Sequence, residues 1–386
     1  MKAREIEKGV YWVGAIDWDL RNFHGYLTQR GSTYNAYLIV DEKITLVDSV
    51  KSYLAEEMFQ RISSIIDPSK IDYIVCNHVE MDHSGAIPMV VEKNPNVKVF
   101  ASPKGVSGLK AHYKANWNFQ EVKSGDEINL GSDKIQFLLT PMVHWPDNMI
   151  GYMPGKKILF SNDAFGQHLA SSERFDDEYP LDIVMEEARK YYANIVLPYS
   201  SQVRKALEDA AKLDIKIIAN SHGIIWRKHI PEIIKEYSDW SSNTVAKKAL
   251  IVYDTMWGST AKIADAIYDA FERKGYRIYK YNLQQNHISD IMTEVLSAEY
   301  ICVGSPTLNK SLLPSVAAFL TYMQGLSPKN RKTIIFGSYG WAQQNIKDLE
   351  MYMNNCEFEI KHKINVNYIP DELQLEQIRK EVFEVL

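Results

Sequence analysis

Asn77-His78-Val79-Glu80-Met81-Asp82-His83-Ser84-Gly85 decides how this chain is read. Two imidazoles and two carboxylates fall between His78 and His83, directly after the apolar run Tyr73-Ile74-Val75-Cys76. That run reads as a buried strand, and a helix-like segment follows Gly85. Donors on a tight loop at the carboxyl end of a strand are where a layered fold presents chemistry. A metal ion needs several such donors converging on one point. A polar loop with a solvated salt bridge is the plainer reading, and donors recurring downstream in similar turns weigh against it.

Working outward, residues 1 to about 245 read as one domain. Strands are expected at Val10–Val13, Asn35–Val40, Ile44–Asp48, Val97–Ala101, Lys134–Thr140, Met149–Met153, Lys157–Ser161 and Ile215–Ala219. Helical periodicity runs from about Tyr53 to Ile66, where Asp67-Pro68 ends it, and recurs at Leu181–Tyr192 and Gln202–Leu213. Strands that first pair locally, flanked by helices, suggest a sandwich of two sheets covered by helices. His144, Asp163 and His222 each follow one of these strands. Alone, a strand-end Asp is usually a cap and a lone His a hydrogen-bonded surface group. Recurrence at four strand exits points to one shared edge.

The polar stretch Ser238–Thr244 reads as a linker, and beyond it strands and helices alternate. Strands are expected at Ala249–Tyr253, Tyr276–Tyr281, Tyr300–Val303, Thr333–Phe336 and about Lys363–Tyr368, with a last helix over Asp371–Val385. Such alternation predicts a doubly wound parallel sheet. The first strand exits into Asp254-Thr255-Met256-Trp257-Gly258-Ser259-Thr260, where hydroxyls, a glycine and a helix start make an anion cradle. A bare helix cap is the alternative. No lysine follows the glycine as in a nucleoside-triphosphate loop, and no dinucleotide fingerprint is present. Two further strand exits, Gly304-Ser305-Pro306-Thr307-Leu308-Asn309 and Gly337-Ser338-Tyr339-Gly340-Trp341, favour a cofactor.

Composition bounds the rest. The 386 residues suggest two or three domains, and a net charge of -5 with a pI near 6.1 argues against a nucleic-acid surface. No apolar run approaches the roughly 18 residues of a membrane span, and the first residues lack a signal-peptide core. Cys76, Cys302 and Cys356 form no CxxC pair, which argues against a disulfide framework or a cysteine metal site. The expectation is a cytoplasmic protein.

These features together carry a resemblance. The first part resembles the metallo-β-lactamase fold, whose hydrolases hold two zinc ions with a His-x-His-x-Asp-His loop. Here Glu80 stands where those hydrolases place a second histidine. A carboxylate hardens the site and adds negative charge, which suits iron better than a zinc hydroxide. With His144, Asp163 and His222, the pattern resembles the flavodiiron proteins, or A-type flavoproteins, over the whole chain. Ile16-Asp17-Trp18, Phe23-His24-Gly25-Tyr26, Thr33–Tyr37 and His144-Trp145-Pro146-Asp147 match as well.

The resemblance implies an αββα sandwich over 1–245 holding two non-haem irons, and a flavodoxin-like five-stranded sheet over 246–386 holding FMN. One iron would take His78, Glu80, His144 and one oxygen of Asp163; the other would take Asp82, His83, His222 and the second oxygen. His24 would lie near the substrate pocket, with either a catalytic or a packing role, and Trp145 and Tyr26 would be pocket walls. Thr255, Met256, Trp257, Gly258, Ser259 and Thr260 would wrap the FMN phosphate. Ser305, Pro306, Thr307, Leu308, Asn309, Ser338, Tyr339, Gly340 and Trp341 would hold the ring. The implied activity is reduction of dioxygen to water, of nitric oxide to nitrous oxide, or both. With no CxxC module after Leu386, a separate rubredoxin-like donor is implied, a reduced deazaflavin being the alternative. A head-to-tail homodimer or tetramer would set one chain's FMN against its partner's irons. Two other classes compete: a zinc hydrolase with an accessory flavodoxin domain, and a non-catalytic electron carrier or gas sensor.

Overall fold

The computed structural model describes all 386 residues, Met1–Leu386. The chain divides into two compact units, one of Met1–Tyr191 with Ser201–Ser238, the other of Tyr192–Ser200 with Asp239–Leu386.

The first unit is a sandwich of two sheets. One sheet orders Arg4–Glu7, Val10–Trp12, Tyr37–Ile39, Thr45–Val47, Tyr73–Val75, Lys98–Ala101 and Asn118–Glu121 side by side. The other orders Glu127–Asn129, Lys134–Leu139, Met149–Met153, Ile158–Asn162 and Ile217–Asn220. Successive side chains of a strand point to opposite faces. Tyr37, Ile39, Val47, Val75 and Phe100 therefore join Phe137, Met149, Met153, Phe160 and Ile217 in one core. Their neighbours Leu38, Leu46, Ile74 and Val99 join a second core with Met58, Ile62 and Leu109. Burial on both faces explains why these strands read as near-continuous apolar runs rather than alternating ones. The helix Ala55–Ser63 buries Ala55, Met58, Phe59 and Ile62, the spacing of one helical face.

The second unit carries a five-stranded sheet in which every neighbouring pair is parallel. Its order is Arg277–Asn282, Ala246–Tyr253, Ala298–Gly304, Lys332–Tyr339, Glu359–Asn367: second, first, third, fourth, fifth along the chain. This is the flavodoxin-like doubly wound order, whose ligand crevice lies outside the carboxyl ends of the strands where the order reverses. Leu250 and Val252 are buried between Ala249, Ile251 and Tyr253, because helices cover both faces. Within this unit the Asn194 side chain donates to the carbonyl of Ser289, and the Tyr322 hydroxyl donates to Asn194.

Two local expectations are corrected. The stretch Ser238–Thr244 is not a free linker: the helix Ile230–Ser241 runs through its first half. Trp240, Ser241 and Asn243 are buried, and Asn243 accepts from the N–H of Lys329 and the guanidinium of Arg331. The helix expected at Tyr53–Ile66 is a 3-10 turn, Ser52–Leu54, followed by α-helix only over Ala55–Ser63. No helix is long and apolar enough to cross a membrane.

Candidate metal centre and flavin cradle

Each predicted metal donor sits just past a strand of the sandwich. His78 follows Tyr73–Val75, His144 follows Lys134–Leu139, Asp163 follows Ile158–Asn162, and His222 follows Ile217–Asn220. The loop around His78 is pinned by Asp48, whose buried carboxylate accepts the Asn77 N–H at 2.7 Å and the Asn77 side-chain amide at 3.0 Å. The single turn Met81–Ser84 then carries Asp82 and His83 inward, both buried. A side chain on Gly85 would meet the Met81 carbonyl at 2.4 Å and the Ser52 nitrogen at 2.9 Å, so the return from this turn requires glycine.

The donors converge in two groups. His78, Glu80, His144 and Asp163 have ligand atoms within 4.8 Å of one another, as do Asp82, His83 and His222. Asp163 faces both. Its Oδ2 lies 3.2 Å from His144 Nε2 and 3.7 Å from His78 Nε2. Its Oδ1 lies 3.0 Å from His83 Nε2 and 3.3 Å from His222 Nε2. Glu80 Oε2 is 3.4 Å from both His78 Nε2 and His144 Nε2. Asp82 is 3.4 Å from His83 through Oδ1 and from His222 through Oδ2. Such separations suit donors each about 2.1 Å from a common ion.

Electrostatics test the fit. Both oxygens of Asp82, both oxygens of Asp163 and Nε2 of His83 are buried without a hydrogen-bond partner. Buried charged groups left this way are costly, and a cation at the centre satisfies them. Burial opposes protonation of His144, but Asp163 and Glu80 outweigh it and push the imidazole up to about 9. Burial likewise opposes protonation of His222, yet Asp163 and Asp82 push it up to about 10. Burial would raise Asp163, and the imidazoles of His83, His144 and His222 hold it well below the carboxylate range instead. Three carboxylates and four imidazoles fit a pair of divalent transition ions, and the oxygen share favours a harder ion than an all-imidazole site would.

His24 is brought to the rim, not into the ligand set. It adopts a left-handed backbone, its side chain is 75% exposed, and its Nε2 lies 3.3 Å from Glu80 Oε1. Trp145 packs edge-on against His78, ring centres 5.0 Å apart, and Tyr26 is buried with its ring 5.2 Å from that of His168. Sequence reasoning missed the groups that orient the ligands. Asp147 Oδ2 accepts from His78 Nδ1 at 2.9 Å and from the Val79 N–H at 2.8 Å, fixing the ring so that Nε2 faces inward. His222 Nδ1 donates to the Thr33 carbonyl at 2.8 Å. An aspartate three residues after a ligand histidine was the available signal for Asp147; a backbone carbonyl leaves none.

In the second unit, a pocket of about 490 Å³ opens at the strand exits. Of the predicted flavin residues, Thr255, Met256, Trp257, Ser259, Pro306, Thr307, Leu308, Asn309, Ser338, Tyr339, Gly340 and Trp341 line it. Gly258, Thr260 and Ser305 do not. Gly258 caps the helix Ser259–Arg273 with φ 87°, and its N–H donates to Thr255 Oγ1 at 3.1 Å. Thr260 is buried with its Oγ1 3.2 Å from Ser338 Oγ, tying the first loop to the third, and the Ser305 hydroxyl accepts the Leu313 N–H. The first-turn N–H groups of that helix have no partners within it, which suits a phosphate. Trp257 and Trp341 are each 90% exposed, aromatic surfaces with no packing role in the unit. Tyr368 and Ile369, at the exit of the fifth strand, also line the pocket and were not foreseen. Nor was Asn345, whose buried side-chain amide donates to the Ser305 carbonyl at 2.9 Å and to Asn365 Oδ1 at 3.1 Å. A volume within the usual ligand range, an anion-binding end and an aromatic end fit a flavin mononucleotide.

Comparison with known proteins places these sites in context. A family profile described as ODP family beta lactamase matches residues 33–223, and the flavodoxin profile matches residues 251–377. A nitric oxide reductase of Moorella thermoacetica is 44% identical over 92% of this chain and 90% of its own length. The structure of rubredoxin oxygen:oxidoreductase from Desulfovibrio gigas, 39% identical, superposes with a TM-score of 0.96, covering 99% of this chain and 97% of that one. A flavodiiron protein from Giardia intestinalis, 35% identical, gives 0.97 over 100% and 96%.

Proposed function

This chain belongs to the flavodiiron protein family, and on that premise we propose that it reduces dioxygen to water, nitric oxide to nitrous oxide, or both, using a diiron site, FMN and an external electron donor. The observation that carries the reading is Asp163, whose two oxygens face two separate donor sets while making no hydrogen bond of their own. His78, Glu80 and His144 would hold one iron and Asp82, His83 and His222 the other, with Asp163 common to both. The FMN phosphate would rest on Thr255 to Thr260 and the ring between the 305–309 and 338–341 loops. When bound, the metals supply gas binding and reduction, and the flavin supplies stored electrons.

The chain's own residues set the conditions for that chemistry. Asp147 holds His78 in one tautomer and raises its basicity. Glu80 brings a negative charge where a histidine would bring none, favouring iron. The exposed Nε2 of His24 stands 3.3 Å from Glu80 Oε1, so a proton entering from solvent can rest there beside the site. A zinc hydrolase is not favoured, since its fold-mates need no flavin cradle and the named relatives are oxidoreductases.

The same proposal divides the roles at about residue 245, with 1–245 the diiron domain and 246–386 the FMN domain. It takes a rubredoxin-type protein as donor, in keeping with the relative named rubredoxin-oxygen oxidoreductase; a reduced deazaflavin is the other donor. It also takes the working unit to be a cytoplasmic head-to-tail homodimer or tetramer in which flavin and irons of different chains face each other. Mixed dimers of a metal-dead His222→Ala/Asp163→Ala chain and a flavin-dead chain test the last point, since only transfer between chains restores activity. The decisive experiment for the function is anaerobic turnover of each gas by one iron- and FMN-assayed preparation with one reduced donor. A preparation holding about two zinc ions after growth in iron-rich medium, and consuming neither gas, would overturn the proposal.

A further inference from the structure

A second pocket in the first unit lies against the metal-bearing loops from the side of the helix Ser200–Ala210. It encloses about 30 Å³, where a single water needs about 10–15 Å³. Ile150, Leu159, Val203 and Leu207 close it with hydrocarbon. Three of its twelve lining residues are polar, Thr140, Ser161 and Tyr237, and the last two are engaged within the wall. The Ser161 hydroxyl donates to the Ala164 carbonyl at 2.8 Å, and the Tyr237 hydroxyl accepts the Phe165 N–H at 2.6 Å. A water placed here would find few of the two to four partners it needs, and apolar cavities of this kind stay dry and take up xenon.

The position of the walls gives the pocket its meaning. Val143 lines it and immediately precedes His144; Ala164 and Phe165 line it and immediately follow Asp163. Two of the loops that bring donors to the metal cluster are therefore also walls of an apolar chamber. On the far side, Ala206 and Ala210 line the chamber and are partly exposed, so its outer end approaches solvent along one helix.

We propose that this chamber is a holding site for a small apolar gas, the dioxygen or nitric oxide that the diiron site consumes, drawn in beside Ala206 and Ala210 and released toward the loops of His144 and Asp163. The inference rests on the reductase reading for the identity of the gas, and on size, dryness and wall position for the site itself. A dry chamber raises the local concentration of an apolar diatomic over that in water. Its effect therefore belongs in KM for the gas and not in the chemical step.

The test has an arm that does not depend on turnover. Crystals of the holoprotein held under xenon, or the holoprotein in solution read by xenon NMR, should show one xenon in the chamber. Leu207→Ala should enlarge the chamber and raise xenon occupancy, and Ala206→Phe should abolish it. In steady state Ala206→Phe should raise KM for the gas about threefold or more while kcat, iron content and FMN content stay at native values. Ala210→Phe is a second plug should the first fail to fold, judged by circular dichroism and iron content. An empty chamber under xenon pressure would overturn the proposal, as would a plugged, fully loaded variant with native KM. Native holoprotein that binds xenon but consumes neither gas would overturn the supply role and the reductase reading together, and leave the chamber as a gas site.

Discussion

Replacing Asp147 by Asn is expected to strip iron from one half of the metal centre and spare the other. Asp147 touches no proposed metal position; it acts through His78. One carboxylate oxygen, Oδ2, accepts both His78 Nδ1 at 2.9 Å and the Val79 N–H at 2.8 Å. A hydrogen bond to a charged acceptor contributes about 1.5–3 kcal/mol and a neutral one about 0.5–1.5 kcal/mol. Asparagine keeps the shape and one amide oxygen, so each of the two bonds weakens by about 1 kcal/mol rather than vanishing. The resulting loss of about 2 kcal/mol agrees with the 10–100-fold drop in metal affinity that follows removal of a carboxylate behind a ligand histidine, at about 1.4 kcal/mol per tenfold. The other set is insulated, because its His222 is oriented by the Thr33 backbone carbonyl, which no side-chain replacement alters. An anaerobic chelator titration should therefore find a first iron leaving at a 10–100-fold lower chelator concentration than in the native protein, and a second near its native value. Unchanged affinity for both irons would refute the orienting role of Asp147. An equal drop at both sites would refute the assignment of His78 to a single set.

Glu80→His should shift metal preference from iron toward zinc, measured by elemental analysis of protein from cells supplied with both; retained iron and native gas turnover would mean the carboxylate serves another purpose. Ser259→Ala with Thr260→Ala should weaken FMN by about tenfold or more, Ser259 through a lost charge-assisted bond and Thr260 through the lost tie to Ser338, read by fluorescence on dilution, with iron content unchanged. In the metal-free protein His144 and His222 are raised to about 9 and about 10 from 6.5, so both are protonated at pH 7 and must lose protons when iron binds. Iron affinity should thus climb with pH, and proton release should appear as a buffer-dependent heat in calorimetry. By linkage, those raised values stabilise the metal-free fold fully below about pH 6.5, and that contribution is lost as pH rises through 9 to 10. The metal-free protein should therefore melt earlier at pH 10 than at pH 6 through this term, and the loaded protein should lack it.

The strand exits were legible in the sequence because both sheets bury their strands, leaving apolar runs that stop abruptly at polar residues. His78, His144, Asp163 and His222 each sit at such a stop, and the recurrence of donor residues at four stops marks them together as ligands. The strands of the second unit were legible for the same reason, and their alternation with helices fixed the fold class. What escaped was held by distant partners. The short pair Ala15–Asp17 with Ser32–Tyr34 carries no run long enough to signal a strand. The polar letters of Ser238–Ser241 suggested a linker, while tertiary burial makes them the last turn of a helix. Asn345 reads as an ordinary helix residue, yet Gly337 leaves room for its amide to come within 2.3 Å of where a Cβ would stand, so that it can bind the Ser305 carbonyl. Such a role depends on two loops meeting, which spacing along one chain does not record.

The segment Tyr192–Ser200 belongs to the second unit although both its flanks belong to the first. The chain therefore passes from one unit to the other at Tyr191/Tyr192, back at Ser200/Ser201, and over again at Ser238/Asp239. Modules joined by a single tether can be cut apart by one protease or shuffled by one recombination event. Here a cut near residue 245 would deprive the flavodoxin-like part of Asn194, which accepts from Tyr322 and donates to Ser289. A carboxyl-terminal half expressed by itself would therefore begin life with a gap in its side.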